Sequence, residues 1–467
     1  MNTWYERIVA AHTVADLGAG EVLLYIPLHV MNEYTSPQAF SGLAAAGRGV
    51  RRPGANLGVV DHVNSTSRDG AGDGDHAAEL LIREFRDNCR KSGIRCLDVD
   101  DPAQGIEHVV VPELGLARPG MVIACGDSHT TTYGAFGALG FGIGTSQVEH
   151  ILATQTLVYR PLKTMRITVD GAMPPGLSAK DLIMGIIRVV GAGGANGFAV
   201  EFAGAAIAGL DLAGRMTICN MAVEMGARAA LMKPDARVHA WLADLPAGVP
   251  VPPMPDLPET GTERFDRELR FDASVLEPVV TWGTSPDQAV GIGGTVPFME
   301  DIPAETRATT ERALAVMDLK PGQPVIGLPI SMAFLGSCTN GRIEDLRVAA
   351  GILRGRRVAA GVRFIVVPGS HQVRRQAEAE GLDHIFRSAG AEWRQASGCS
   401  LCLAMNDDVA PAGTRIASAT NRNFEGRQGQ GARTHLMSPA MVAAAALTGA
   451  LADVRALPAV GLESVQS

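Results

Sequence analysis

Short apolar runs of strand length alternate along this chain with longer stretches whose apolar residues recur at helical spacing. That alternation predicts layered α/β units. Strands are expected at 94–99, 121–125, 164–169, 333–335, 363–367 and 414–417, with a further apolar stretch at 57–60. Ser36-Pro37 offers a cap and a first-turn proline to a helix that Gly47 closes. His76–Ser92 reads as a helix ended by Gly93, and Ser146-Gln147-Val148-Glu149 as a capping box heading a helix over 151–157. Ser178 caps a helix that stops at Gly191, another helix spans 342–354, and Ser438-Pro439 opens an alanine-rich last one. Six prolines between 244 and 261 mark a linker or extended loop. Composition breaks near 163 and 300 divide the chain into expected units 1–162, 163–300 and 301–467. This agrees with a prior of roughly 150 residues per domain.

The loops that follow these strands carry the chemistry. Cys338 lies in Gly336-Ser337-Cys338-Thr339-Asn340-Gly341, and two more cysteines form Gly398-Cys399-Ser400-Leu401-Cys402. Three thiolates with no fourth nearby suggest an iron–sulfur cluster with one open iron, because such clusters normally take four cysteines. A structural zinc site wants four closed ligands, usually as two close pairs, and no second pair exists here. A redox C-x-x-C opens a helix in a thioredoxin-like unit, which is not evident around Cys399. Cys89, Cys96, Cys125 and Cys219 read as small apolar core residues.

Asp61-His62 follows the apolar stretch at 57–60, and Asp127-Ser128-His129 follows the strand at 121–125. An acid beside a histidine fixes its tautomer and raises its basicity, which suits proton transfer. The same pairing is often only a loop hydrogen bond. Asn421, Arg422, Asn423 and Arg427 crowd one loop after the strand at 414–417, where two arginines could clamp a carboxylate or form a solvated basic loop. The glycine-rich runs at 137–144 and 191–197 lack the lysine and the G-x-G-x-x-G context of a nucleotide site.

Composition narrows the class. The chain has 467 residues, 46% of them hydrophobic, and a net charge of −8 with acids and bases mixed. It has no basic stripe to suit nucleic acid. No apolar run approaches the roughly 18 residues of a membrane span, and the first residues lack the pattern of a signal peptide. Seven cysteines without a disulfide framework fit a reducing compartment, so a cytoplasmic location is expected.

Taken together, these loops resemble the aconitase superfamily, and within it the large-subunit family of 3-isopropylmalate dehydratases, over nearly the whole chain. The resemblance rests on Thr35-Ser36-Pro37-Gln38-Ala39-Phe40, Cys125-Gly126-Asp127-Ser128-His129-Thr130 and Cys219-Asn220-Met221-Ala222-Val223-Glu224-Met225-Gly226-Ala227. It rests equally on the two cysteine loops and the 421–427 loop, which Arg433-Thr434-His435-Leu436 follows. It implies three α/β/α units around a shared cluster site, without the fourth, swivelling domain of single-chain members. Cys338, Cys399 and Cys402 would hold one 4Fe-4S cluster whose open iron binds the substrate's hydroxyl and carboxylate. His62, paired with Asp61, would handle the leaving hydroxyl, with His108 paired to Asp127 and His129 to Glu224. Ser128 would stand beside iron or substrate, Gln38 beside a substrate carboxylate, and Asn421, Arg422 and Arg427 against cluster and carboxylate.

The implied activity is a hydro-lyase that interconverts 2-isopropylmalate and 3-isopropylmalate in leucine biosynthesis. The same chemistry on 2-methylmalate and citraconate, a dimethylmalate or a homoaconitate-type acid is the alternative. An RNA-binding regulator fits the mixed acidic charge poorly. The swivelling domain supplies a serine base, so a separate small subunit is the implied partner. The chain departs from the usual family strings at Val63, Asn64, Gln147, Asn196, Phe198 and Gly341, none of which is a cluster ligand.

Overall fold

A computed structural model describes residues 2–67, 75–245, 257, 263–406 and 408–458. The proline-rich segment expected to be a linker lies almost wholly outside the described residues. The architecture is α/β, as the alternation of patterns predicts, and its largest sheets are parallel.

Two five-stranded sheets share one plan. In the first, Leu28–Asn32 is the middle strand, with Asn56–Val59 and Arg95–Leu97 on one side and Val122–Cys125 and Leu139–Gly142 on the other. In the second, Met332–Leu335 is the middle strand, flanked by Arg363–Val366 and Glu392–Trp393 on one side and by Arg415–Ser418 and Arg433–Leu436 on the other. All these neighbours pair in parallel. In such a sheet the chain winds away from the middle strand in both directions. The loops at the carboxyl ends of the two central strands therefore diverge and leave a crevice. A four-stranded parallel sheet, with Lys163–Asp170 and Phe198–Ala203 at its centre, lies between the two in sequence.

The strands that flank each crevice are buried on both faces. Val30, Val59, Ile123 and Cys125 are fully buried in the first sheet, as are Ala333, Leu335, Val366 and Ala417 in the second. Such strands read as continuous apolar runs, which is why most of these positions were visible in the sequence; Leu28–Asn32, whose run His29 interrupts, was not among the expected strands. The helix His76–Ser92 is capped by the Asp75 side chain and ends at Gly93 with φ of 70°. The helix Ala179–Val190 is capped by Ser178. Among the described residues no helix is long and apolar enough to cross a membrane.

Two local expectations are corrected. The helix in the 145–157 region is Thr145–Thr154, one turn earlier than expected, and Gln147 Oε1 accepts from Gly144 N–H at 3.1 Å. Gln155, at φ of 61°, turns the chain into the strand Thr156–Tyr159, which completes an antiparallel sheet with Glu21–Tyr25 and Thr13–Gly18. Leu157 and Tyr159 alternate with more exposed neighbours, a period of two that overrides the helical reading. Ser36 does not cap its helix: its hydroxyl donates backward to Asn32 carbonyl oxygen at 2.6 Å, and Pro37 begins the helix as expected.

Candidate active site

The crevices of the two five-stranded sheets face one another, and a direct backbone bond joins them: Cys399 N–H donates to Asp61 carbonyl oxygen at 2.6 Å. Asn64 Nδ2 and Gln104 Nε2 both donate to Ser397 carbonyl oxygen, at 2.9 and 3.1 Å, and tighten the same seam.

On the first sheet, the loop after Asn56–Val59 presents Asp61 and His62. His62 Nδ1 meets Asp61 Oδ1 at 2.6 Å, while Asp61 Oδ2 accepts Glu107 N–H at 2.8 Å. The other ring nitrogen, Nε2, faces Asp127 Oδ2 at 3.6 Å. Asp127, after Val122–Cys125, gathers three histidines. His108 Nε2 lies 2.8 Å from Oδ1, and the His129 N–H donates to the same oxygen at 2.7 Å. His129 Nε2 lies 2.9 Å from Glu224 Oε1, which also accepts Arg422 Nε at 2.8 Å.

Electrostatics follow from this crowding. Burial works against a charged His62, yet the Asp61 and Asp127 carboxylates hold its pKa well above the ordinary histidine value. Burial and nearby Arg422 work against a charged His129, but Asp127 and Glu224 raise it to about 9. Burial resists the charged form of Asp127 too, yet hydrogen bonds from His108, His129 and His62 keep it well below the usual carboxylate range. The first sheet thus presents imidazolium groups held in place by carboxylates.

On the second sheet, Cys338 follows Met332–Leu335, and Cys399 and Cys402 follow Glu392–Trp393. All three thiols are buried. Cys399 is in hydrogen-bonding contact with both of the others, and that contact pulls the Cys338 pKa well below the ordinary thiol value. Asn220 Nδ2 and Asn421 Nδ2 donate to Cys338 Sγ at 3.3 and 3.2 Å. Donors aimed at sulfur favour thiolate over thiol. Backbone strain is concentrated here as well, with Ser337 at φ of 93° and Ala404 and Asn406 at 53° and 55°.

Of the residues singled out in the sequence, an inner chamber is lined by Asp61, His62, His108, Asp127, His129, Cys338, Cys399, Cys402, Asn421 and Arg427. It continues into an open cleft of about 610 Å³ lined by His62, Asp127, Ser128, Arg422 and Arg427. Glu224 reaches the site through His129 and Arg422. Gln38 stands apart: it is exposed on the first turn of Pro37–Ala45 and lines neither space.

Other site residues were not singled out. Glu33, fully buried, accepts the backbone N–H groups of Asp61, His62 and Val63 at 3.2, 2.8 and 2.7 Å and so shapes the Asp61-His62 turn. Tyr34, beside it, stacks parallel to the His62 ring. Burial raises the pKa of Glu107 to about 7. Lys180 is fully buried in the first turn of its helix, and burial lowers its pKa to about 7. A cation there opposes the positive end of the helix dipole, and that local conflict was the available signal.

The aconitase family (aconitate hydratase) matches residues 6–449. The chain is 55% identical to 3-isopropylmalate dehydratase large subunit 2 of Salmonella choleraesuis (strain SC-B67), over 97% of this chain and 98% of that one. It is 56% identical to the protein of the same name in Salmonella typhimurium, with the same coverage. It is 55% identical to 3-isopropylmalate dehydratase large subunit 1 of Mannheimia succiniciproducens, over 97% of each chain. Among solved structures, the holo-form of Thermococcus kodakaraensis aconitase X overlaps 86% of this chain and 84% of its own, at 13% identity and a TM-score of 0.47. That overlap is too loose to add to the assignment.

Proposed function

Since this chain belongs to the aconitase family, we propose that it is the large subunit of a cytoplasmic hydro-lyase interconverting 2-isopropylmalate and 3-isopropylmalate in leucine biosynthesis. The observation that carries the reading is the convergence of three buried cysteines with carboxylate-held histidines across two facing crevices. The names of the similar chains supply the substrate and the division into subunits. Seven unpaired cysteines support a reducing compartment.

Cys338, Cys399 and Cys402 are the residues that would hold a single 4Fe-4S cluster. The donor set fits: three thiols share one chamber, and two asparagine amides already favour the thiolate form of Cys338. When bound, a cluster with one iron free of cysteine supplies a Lewis acid for the substrate's hydroxyl and carboxylate.

The chain's own side chains do the rest. His62, kept protonated by Asp61 and Asp127, gives a proton to the departing hydroxyl, so water leaves and an alkene diacid remains. The proton lost from the neighbouring carbon goes to a base on the small subunit. Rehydration reverses both transfers with the carbons exchanged, and no net electron moves. Arg427 and Arg422 meet the carboxylates from the cleft side, and Ser128 lines the same cleft. The His129–Glu224–Arg422 chain fixes the orientation of His129 and Arg422.

Protein purified without air tests this reading. It is expected to contain iron and acid-labile sulfide and to show the visible absorption of a cluster. Stoichiometric zinc with no sulfide would refute it.

A further inference from the structure

Lys180 joins loops that the mechanism above uses but leaves unexplained. It is fully buried, it belongs to the helix Ala179–Val190 that shares an apolar core with the middle sheet, and its side chain reaches the loops after two strands of the second five-stranded sheet. Lys180 Nζ donates to Thr420 carbonyl oxygen at 2.6 Å, to Ala419 carbonyl oxygen at 2.8 Å and to Asn340 Oδ1 at 3.2 Å. An ammonium has three N–H donors and no acceptor, whereas a neutral amine has two. Three oxygen acceptors around one nitrogen therefore match the charged form.

Each acceptor sits next to a site residue. Asn340 lies two positions after Cys338, and Ala419 and Thr420 immediately precede Asn421. Asn340 is itself oriented: its Nδ2 donates to Asp345 Oδ1 at 2.9 Å, which turns its Oδ1 toward Lys180. The helix that carries Lys180 is held from the other side, since Asp181 accepts Ser178 N–H at 2.9 Å and Val279 N–H at 3.2 Å. The two loops so joined are those flanking the crevice of the second sheet, and each also touches Cys338 Sγ or its neighbours through Asn220 and Asn421.

A buried ammonium surrounded by neutral oxygens costs far more than its hydrogen bonds return, unless negative charge is near. Asp345 and Asp181 provide part of it, and negative charge on Cys338 and Cys402 also favours the charged lysine. Three thiolates gathered in the chamber would provide the remainder, and the benefit is mutual.

We propose that Lys180 is a positioning residue for the cluster site: its ammonium ties the Cys338 loop to the Asn421 loop and supplies the positive charge that offsets the three thiolates. This rests on the reading of Cys338, Cys399 and Cys402 as cluster ligands. Lys180 touches neither substrate nor thiol, and acts through Asn340, Ala419 and Thr420.

The test compares wild-type holoenzyme prepared without air with Lys180→Met, Lys180→Gln and Lys180→Arg. The readouts are the cluster's reduction potential, by spectroscopically monitored titration, and the rate of iron loss to a chelator. Loss of the charge is expected to shift the potential to more negative values in the Met and Gln variants, because net charge near a cluster sets its potential. Iron loss is expected to rise roughly tenfold or more, as for removal of a charged hydrogen-bonding group. Lys180→Arg keeps the charge and is expected to stay near the wild-type potential. The Gln variant retains two donors without charge, so it decides the matter should the Met variant fail to fold. A Gln variant with wild-type potential and wild-type iron loss overturns the proposal, and so does an Arg variant shifted as far as Gln. Wild-type protein without iron and sulfide would instead overturn the functional reading beneath it.

Discussion

Seven cysteines are present, and their surroundings divide them. Cys338, Cys399 and Cys402 share one chamber, while Cys125 and Cys219 are fully buried in the apolar core and burial holds their thiols protonated. Cys89 packs beneath the first sheet, with Cys96 as its hydrogen-bonding neighbour. Replacing Cys338, Cys399 or Cys402 by Ser is expected to remove both cluster and activity, whereas Cys89→Ser and Cys96→Ser leave iron and sulfide content near wild type. Equal loss in all five variants would show that the ligands are misassigned. His62→Ala is expected to lower the catalytic rate roughly a hundredfold or more with the cluster retained, as for a lost general acid. Iron analysis alongside the rate distinguishes this from a structural role. The sequence made these side chains legible because an acid-histidine pair and a thiol in a glycine-rich loop carry local signals. Glu33 and Lys180 carried weaker ones. A carboxylate that accepts three backbone N–H groups looks in sequence like any polar residue after a strand.

At the scale of elements, parallel strands such as Leu28–Asn32 and Leu139–Gly142, whose apolar runs His29 and two glycines interrupt, were missed, while others were legible because burial on both faces leaves uninterrupted apolar runs, as in Val122–Cys125. The antiparallel Thr13–Gly18, Glu21–Tyr25 and Thr156–Tyr159 were not, because the first is largely exposed and the last continues directly from a helix. The middle strand of the first sheet carries its own pH sensitivity. His29, fully buried on Leu28–Asn32, pairs with Asn56 Oδ1 at 2.9 Å across to the next strand. Burial lowers its pKa from 6.5 to about 4. The unfolded chain therefore binds a proton that the folded chain refuses between those values, so folding stability falls as pH drops from about 6.5 toward 4. The loss attributable to this residue is on the order of 3 kcal/mol. Thermal unfolding of cluster-free protein across that range is expected to show a shallower decline for His29→Phe than for wild type. Parallel curves would remove His29 from the account.

At the scale of the molecule, the site exists only because two sheets wound on the same plan turn their crevices toward each other. No local pattern in the sequence contains that fact: Asp61 and Cys399 are 338 positions apart, yet joined by a backbone hydrogen bond. The resemblance to a family supplied the convergence that spacing alone could not. The cleft that results is broad, and Asp127 and Arg422 keep 23% and 26% of their side chains exposed within it. Dehydration followed by rehydration needs the alkene held away from bulk water until the second step. The large-subunit names of the relatives imply a separate small subunit, and the proposed function assigns it the closing of this cleft. The most direct measurement is an assay of the cluster-loaded chain, prepared without air, on 2-isopropylmalate, 2-methylmalate and homocitrate, each with and without a candidate small subunit. The account predicts turnover of 2-isopropylmalate that depends on the small subunit and exceeds that of the other two acids. Full turnover by the isolated chain, or a preference for 2-methylmalate or homocitrate in the complex, would contradict it.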